Sequence, residues 1–214
     1  MKLKIPRIDS SVSAASDVPG LFGRYGVKFG TLDAVNWPSD FPYKPEVHFA
    51  FAHDTTNLYI HYKVVEDSLK GDFTDDFSNV WEDSCCELFI APADDGLYYN
   101  LEFGCAGALY FCVGGGRRDR ERAPRAAMDS ILRWTSLGRR IVGSRSGMQV
   151  WESALVVPSD AFWMHKPDFR GAGMRGNVYK CGNTEHKHFV SFAPIETPSP
   201  DFHRPEYFCN IEFE

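Results

Sequence analysis

Alternating apolar and polar residues run through the middle of the chain and predict β-strands. The segments EVHFAFA (46–52) and NLYIHYKVVE (57–66) flank the turn-like HDTTN and together predict a β-hairpin. Further strands are predicted in the segments SCCELFIA (84–91), LYYNLEFG (97–104), ALYFCV (108–113), MQVWESALVVP (148–158), GNVYKCG, HFVSFAPI and YFCNIEF.

Helical periodicity is almost absent. Only residues 159–165 predict a short helix, with Ser159 or Asp160 as its N-cap. Many short strands separated by Gly, Pro and Asp are typical of an antiparallel β-sandwich. We therefore predict an all-β protein, an antiparallel sandwich with one short helix, in which residues 1–214 form a single domain.

Composition supports a globular protein with an unusual aromatic content. The 214 residues are 43% hydrophobic and 24% charged, and they include 5 Trp, 9 Tyr and 17 Phe. No apolar run approaches the ~20 residues that a membrane-spanning helix needs, so no membrane partner is expected. The large aromatic set raises the question of whether some rings are displayed on the surface.

The net charge of −6 conceals two regions of opposite sign. Between Glu66 and Glu102 the only basic residue is Lys70, whereas arginines dominate from Arg117 to Arg145. We interpret the run GGGRRDRERAPR as a solvated loop, because it has mixed charges and no helical pattern. Since the chain is also acidic overall, nucleic acid is not an expected partner.

The six cysteines show no zinc-binding spacing and no CxxC pair, so they are interpreted as structural thiols, with disulfides left open. The N-terminal MKLKIPRIDSS has no apolar segment of the kind a signal peptide requires. The compartment is left open between the cytoplasm and export after removal of a leader.

The segment VWEDSCCELF contains the first candidate binding residues. Strand alternation places Cys86 and Leu88 on one face and Glu87 and Phe89 on the other, with Trp81 in the preceding loop. A flat ring can stack on the apolar face of a pyranose while a carboxylate accepts hydrogen bonds from its hydroxyls. Trp81 and Glu87 are therefore candidates for sugar recognition, unless Trp81 plugs the end of the sandwich.

A second candidate is the strand YYNLEFG. By the period of two, Tyr98, Asn100 and Glu102 share one face, while Tyr99 and its same-face neighbours are apolar and predict core. The polar face would give a hydrogen-bonding platform beside Glu87, or simply face the solvent.

Other chemistry has weaker support. His186 and His188 match no metal-binding motif, and no nucleophile elbow or phosphate loop is found. The acidic run EDSLKGDFTDDF has no EF-hand spacing, but it could hold structural calcium through oxygen ligands.

The order of these motifs resembles the family-nine carbohydrate-binding modules, and more closely their stand-alone relatives in polysaccharide-degrading bacteria. The resemblance rests on Trp81, EDSCCELFI, YYNLEFG, NVYKCGN, HFVSFAPI and DFHRPEYF, in this order. It implies a jelly-roll-like sandwich that binds ends of glucan or xylan chains, or small sugars, without catalysis. Members often accompany xylanases, and some hold structural calcium; a partner enzyme is not predictable from this chain.

The resemblance also implies roles for individual residues. In the family two tryptophans sandwich a sugar ring, and Trp81 and Glu87 match the first of them and the hydrogen-bonding carboxylate. Asn100 or Glu102 would supply a further polar contact. Phe192 stands in SFAP where relatives often have Trp, so it is a candidate second ring, and Arg204 is the last candidate contact.

Two other functions remain open at this point. A glycoside hydrolase could use two of the carboxylates Glu87, Glu102, Asp83 and Asp94. A haem-binding sandwich could use His165 or His188 with one of the methionines Met148, Met164 and Met174.

Overall fold

The computed structural model describes residues 1–214, and strands make up most of its regular structure. The strands are β1 Lys2–Ile5, β2 Gly30–Thr31, β3 Ala34–Val35, β4 Glu46–His53, β5 Asn57–Gly71, β6 Cys85–Ala91, β7 Tyr98–Gly104, β8 Leu109–Gly114, β9 Glu121–Arg122, β10 Leu132–Thr135, β11 Gly143–Pro158, β12 Gly173–Gly182, β13 His188–Ser191 and β14 Cys209–Phe213. The helices are α1 Val18–Tyr25 and α2 Arg125–Ser130.

These strands form two sheets. The larger has nine strands, seven of them in the order β1-β14-β12-β6-β7-β8-β9, while β13 pairs with β12 and β3. The smaller has the order β10-β11-β5-β4-β2. All named strand pairs are antiparallel except β1 with β14, and the predicted hairpin is the β4–β5 pair. The predicted antiparallel β-sandwich is confirmed.

The main hydrophobic core lies where side chains of both sheets meet. The larger sheet contributes Cys86 and Leu88 of β6 and Tyr99 and Leu101 of β7 to this core. The smaller sheet contributes Trp151 of β11, among others. Strand alternation therefore assigns the inner face as predicted from the sequence. It leaves the opposite face of β6, β7 and β12 for a second set of side chains, which includes Phe89 and forms another cluster.

The helices lie elsewhere than the sequence predicts. Residues 159–165 contain only a 3-10 turn at Ser159–Ala161, and its N-cap is Pro158 instead of Ser159 or Asp160. The longest helix is α1, which has a proline in its first turn and is capped at its C-terminus by Gly26 in the left-handed conformation, with φ 62°. Its sequence VPGLFGRY has poor helix formers, so α1 depends on burying its apolar face against the smaller sheet.

Two other features bear on the sequence predictions. All six cysteines are buried free thiols. None of the helices has the length and apolar character needed to cross a bilayer.

Candidate functional site

A pocket of about 680 Å³ opens on the face of β6, β7 and β12 that points away from the main core. Polar side chains of the three strands form its floor, and loops that carry aromatic and charged residues form its walls. The residues that matter below are Phe41, Trp81, Glu87, Asn100, Glu102, Arg117, Arg120, Cys181, Lys187, Phe189, Asp201 and His203.

The floor is built from a buried polar cluster. Glu87 on β6 lies directly opposite Glu102 on β7, and both are only 3% exposed. Asn100, which is fully buried, donates a hydrogen bond from Nδ2 to Glu102 Oε1 at 2.7 Å. The Cys181 thiol on β12 donates to Glu87 Oε1 at 3.1 Å. The polar face predicted for β7 therefore exists, but it is buried beneath a pocket instead of facing the solvent.

Burial sets the protonation state of the two carboxyl groups. It raises the pKa of Glu87 well above its ordinary value, and the neighbouring Cys181 and Glu102 add to this effect. Burial also raises the pKa of Glu102 to about 7, although Asn100 and the cations Arg120 and Arg117 act in the opposite direction. A neutral carboxyl group both donates and accepts hydrogen bonds, which widens the range of hydroxyl partners that the floor can satisfy.

Arg120 holds the pocket wall in place. Its Nε donates to Asn100 Oδ1 at 2.9 Å and its Nη2 donates to the carbonyl of Tyr98 at 2.8 Å, while the guanidinium lies 4.3 Å from the centre of the Tyr98 ring. Gly114 permits this approach, because a Cβ there would lie 3.2 Å from Arg120 Cγ. The run around Arg120 is thus not simply a solvated loop: one of its arginines is anchored to the floor, and α2 follows it.

Aromatic rings occupy the walls. Trp81 lies on a 3-10 turn and is 40% exposed, and its ring packs edge-on against Tyr110 at 5.3 Å between centroids. Elsewhere on the wall, Phe189 of β13 packs edge-on against Phe41 at 4.9 Å. Lys187 Nζ lies 5.6 Å from the centroids of both phenylalanine rings. The pocket thus combines a partly exposed indole with smaller rings.

The structure brings four of the six predicted binding residues together. Trp81, Glu87, Asn100 and Glu102 all line the pocket.

Phe192 and Arg204 are not among the lining residues. The ring of Phe192 packs edge-on against Phe49 at 5.4 Å, on the side of the main core. Arg204 lies beside Asp201 and Glu206, at 3.8 and 3.6 Å.

One aromatic residue of the pocket that the sequence reasoning missed is Phe189. It lies in the same HFVSF segment as Phe192 but has the opposite strand parity: Val190 and Phe192 pack on the main core, whereas Phe189 packs with the pocket-side cluster. The alternation of side chains along β13 is therefore enough to assign Phe189 to the pocket side. Arg120 and His203 were also missed, and no sequence pattern distinguishes Arg120 from its neighbouring arginines.

The acidic segment proposed for calcium has other partners. Asp76 pairs with Arg133 at 2.6 Å and accepts a hydrogen bond from the backbone of Leu109. Asp72 lies 3.5 Å from Lys70. Asp72 and Asp76 are thus engaged by cations, and calcium binding by this segment stays a prediction.

The remaining candidates are likewise engaged. Both ring nitrogens of His165 are hydrogen bonded, to Tyr99 and Asp95, and both of His188 are bonded within the interior, which leaves neither free for haem iron. Of the carboxylates considered for hydrolysis, only Glu87 and Glu102 line the pocket.

An antiparallel sandwich with an aromatic-walled pocket over buried polar groups has the architecture of a small-ligand binding module. The sequence model described as carbohydrate-binding family 9 matches residues 16–213, so the chain belongs to this family. The family is one of non-catalytic carbohydrate-binding modules. No curated protein matches the chain at a significant level.

Solved structures agree with this assignment. A candidate carbohydrate-binding protein from Bacteroides uniformis ATCC 8492 is 38% identical, with a TM-score of 0.95, over 100% of this chain and 99% of its own. A family 9 module from Caldicellulosiruptor kristjanssonii in complex with cellotriose has a TM-score of 0.63 at 11% identity, over 99% and 93% of the two chains. A family 9 module from the same organism in complex with glucose has a TM-score of 0.66 at 10% identity, over 100% of this chain and 96% of its own. At this identity the two modules show a common fold.

Proposed function

We propose that the protein binds carbohydrate, as a pyranose unit or the end of a glucan or xylan chain, in the pocket above Glu87 and Glu102, and that it does so without catalysis. The observation that carries this proposal is the partly exposed Trp81 ring beside a buried floor of Glu87, Asn100 and Glu102. The glucose and cellotriose complexes of the Caldicellulosiruptor modules support this ligand class.

Each part of the pocket has a distinct role in this proposal. Trp81 stacks on the apolar face of the sugar ring, and Phe189 provides a second, smaller aromatic contact. Glu87 and Glu102 exchange hydrogen bonds with hydroxyl groups as donors and acceptors, and Asn100 is held in position by Arg120. The pocket therefore favours ligands whose hydroxyl groups pair with these buried polar groups. It disfavours apolar ligands, because they would leave the same groups without hydrogen-bond partners.

The expected affinity is modest. The pocket volume of about 680 Å³ is within the ordinary range for small-molecule sites. One stacked ring and a few hydrogen bonds must offset the entropy lost on association, so we expect dissociation constants between about 1 μM and 1 mM.

The test is a calorimetric screen of glucose, xylose, cellobiose and xylobiose, together with intrinsic fluorescence. The wild type should bind at least one of these sugars with a change in tryptophan emission and release no cleaved product. Trp81→Ala should lose the emission change and most of the affinity while the melting temperature stays nearly constant.

The matched control is Trp134→Ala. Trp134 is half-buried on β10 in the smaller sheet, so this change removes an indole without touching the pocket. Sugar binding that survives in Trp81→Ala, combined with a large loss of stability, would contradict the assignment of the site.

A further inference from the structure

Two thiols and one carboxyl group converge beneath the floor of the pocket. Cys85 on β6 and Cys181 on β12 are directly opposite each other in the antiparallel register. Glu87 lies two residues further along β6, so its side chain shares the face of Cys85. The three residues therefore belong to one patch of a single sheet.

The geometry of this patch is that of a metal-binding site. The two sulfur atoms and a Glu87 oxygen all lie within 4.8 Å of one another, and Cys181 Sγ is 3.1 Å from Glu87 Oε1. A tetrahedral Zn²⁺ ion with bonds of about 2.3 Å to sulfur and 2.0–2.2 Å to oxygen places its ligands about 3.4–3.8 Å apart. No other group of three His, Cys, Asp or Glu residues in the protein reaches this proximity.

Burial and access also favour a bound ion. Cys85 is fully buried, and Cys181 and Glu87 are each 3% exposed, so the strands hold all three side chains in place before an ion arrives. Cys181 and Glu87 nevertheless line the pocket, which gives an ion a route from the solvent and leaves one coordination position facing the pocket. Sites with three protein ligands and one open position are common for Zn²⁺.

The donor set distinguishes the class of ion. Thiolates select soft and borderline ions such as Zn²⁺ and Cd²⁺, whereas Ca²⁺ and Mg²⁺ require oxygen ligands only. We propose that Cys85, Cys181 and Glu87 form a binding site for a thiophilic divalent cation of the Zn²⁺ class, with its open position directed into the pocket.

The experiment titrates the reduced 214-residue protein with Cd²⁺ and measures the ultraviolet charge-transfer absorption between thiolate and metal. The wild type should give a band that saturates at one ion per chain. The double variant Cys85→Ala/Cys181→Ala should lose this band, and Glu87→Gln should keep it while binding about tenfold or more weakly. Because no sugar is present, the result is independent of carbohydrate binding.

The matched control is Cys86→Ala. Cys86 is adjacent to Cys85 and equally buried, but its side chain enters the main core. Its variant should titrate as the wild type does.

A second measurement on the wild type avoids dependence on how the cysteine variants fold. X-ray absorption of the Zn²⁺-loaded protein should show two sulfur ligands near 2.3 Å together with oxygen ligands. Coordination by nitrogen and oxygen alone, an unchanged Cd²⁺ band in the double variant, or a Cys85–Cys181 disulfide that resists reduction would each overturn the proposal.

Discussion

Two buried polar clusters on opposite faces of the larger sheet both contain glutamate, but they differ in how its charge is balanced. The first, which we call the interior network, consists of Glu66, Lys180, His188 and Trp151. Lys180 Nζ donates at 2.8 Å to Glu66 Oε2, to His188 Nε2 and to a backbone carbonyl, and Trp151 Nε1 donates to Glu66 Oε1 at 2.7 Å. The second is the pocket floor of Glu87, Asn100 and Glu102.

The two clusters differ in how their carboxyl groups are compensated. Burial lowers the pKa of Lys180, but the charge and hydrogen bond of Glu66, together with the neighbouring Cys86 and Cys181, outweigh burial, so the pKa is raised. The floor carboxyls have no such partner: neither Glu87 nor Glu102 forms an ion pair, and burial raises the pKa of both. A closed ion pair has no capacity left for a ligand, whereas carboxyl groups without a cation partner below an open pocket retain it.

Strand alternation separates the two roles by a single residue. Lys180 and Cys181 are neighbours on β12, and they point to the interior network and the pocket floor respectively. Glu87 and Cys86 divide in the same way on β6. The comparison predicts that changes in the interior network affect stability, and changes in the floor affect binding.

The largest expected effect is that of Lys180→Met. This change leaves the Glu66 carboxylate in the interior without its cation, so unfolding should require about 3–5 kcal/mol less free energy. Urea denaturation followed by fluorescence measures the loss. In the double variant Glu66→Gln/Lys180→Met the lone charge is gone, and the loss should be clearly smaller than the sum of the two single losses. Additive single effects would show that the pair does not act as a unit.

Glu87→Gln should have the converse effect. The amide has nearly the shape of the carboxyl group, and no cation is left unpaired, so the unfolding free energy should change by less than about 1 kcal/mol. A changed set of donors and acceptors should weaken sugar binding by about tenfold, equivalent to about 1.4 kcal/mol. Calorimetry with the best sugar of the screen measures this, and Glu66→Gln, which should lose stability, is the control. Wild-type affinity in Glu87→Gln would remove this carboxyl from the binding site.

The sequence predicted the sandwich and the central residues of the pocket because both depend on local alternation. The period of two on β6 and β7 assigns Glu87, Asn100 and Glu102 to the face opposite the core without any knowledge of neighbouring strands. The burial of these groups was not predictable, since it depends on loops that fold over them from elsewhere in the chain. Arg120 illustrates this: its role follows from its contact with Asn100, 20 residues away. Helix α1 was missed because it is stabilised by tertiary packing against residues such as Tyr59.

The interior network also predicts a pH dependence of stability. Burial and the adjacent Lys180 lower the pKa of His188 well below 6.5. Its other neighbours are Glu66, Tyr43 and His186, whose backbone carbonyl lies 2.8 Å from His188 Nδ1. The unfolded chain takes up a proton on His188 as the pH falls through about 6.5, whereas the folded protein does not. The contribution of His188 to the unfolding free energy is therefore fully present above about pH 6.5 and is lost as the pH falls below that value.

We expect the unfolding free energy to fall by about 1 kcal/mol for this residue between pH 6.5 and 5.5. His53, His61 and His203 also have lowered pKa values and add to the slope in the wild type. Comparing His188→Gln with the exposed control His186→Gln by urea denaturation isolates the share of His188. Equal slopes for the two variants would contradict the prediction.

The smallest expected effect separates the two phenylalanines of the HFVSF segment. Phe189 and Phe192 are both half-buried, and only Phe189 lines the pocket. Replacing either by Leu keeps most of the volume, so each should lower the unfolding free energy by less than about 1.5 kcal/mol. Phe189→Leu should weaken sugar binding several-fold, because an aromatic contact contributes about 0.5–1.5 kcal/mol beyond its buried area. Phe192→Leu should leave the affinity unchanged, since its ring contacts Phe49 on the core side. The opposite ranking in calorimetric titrations would restore Phe192 as the second stacking ring and would show that the sugar enters from the other face of β13.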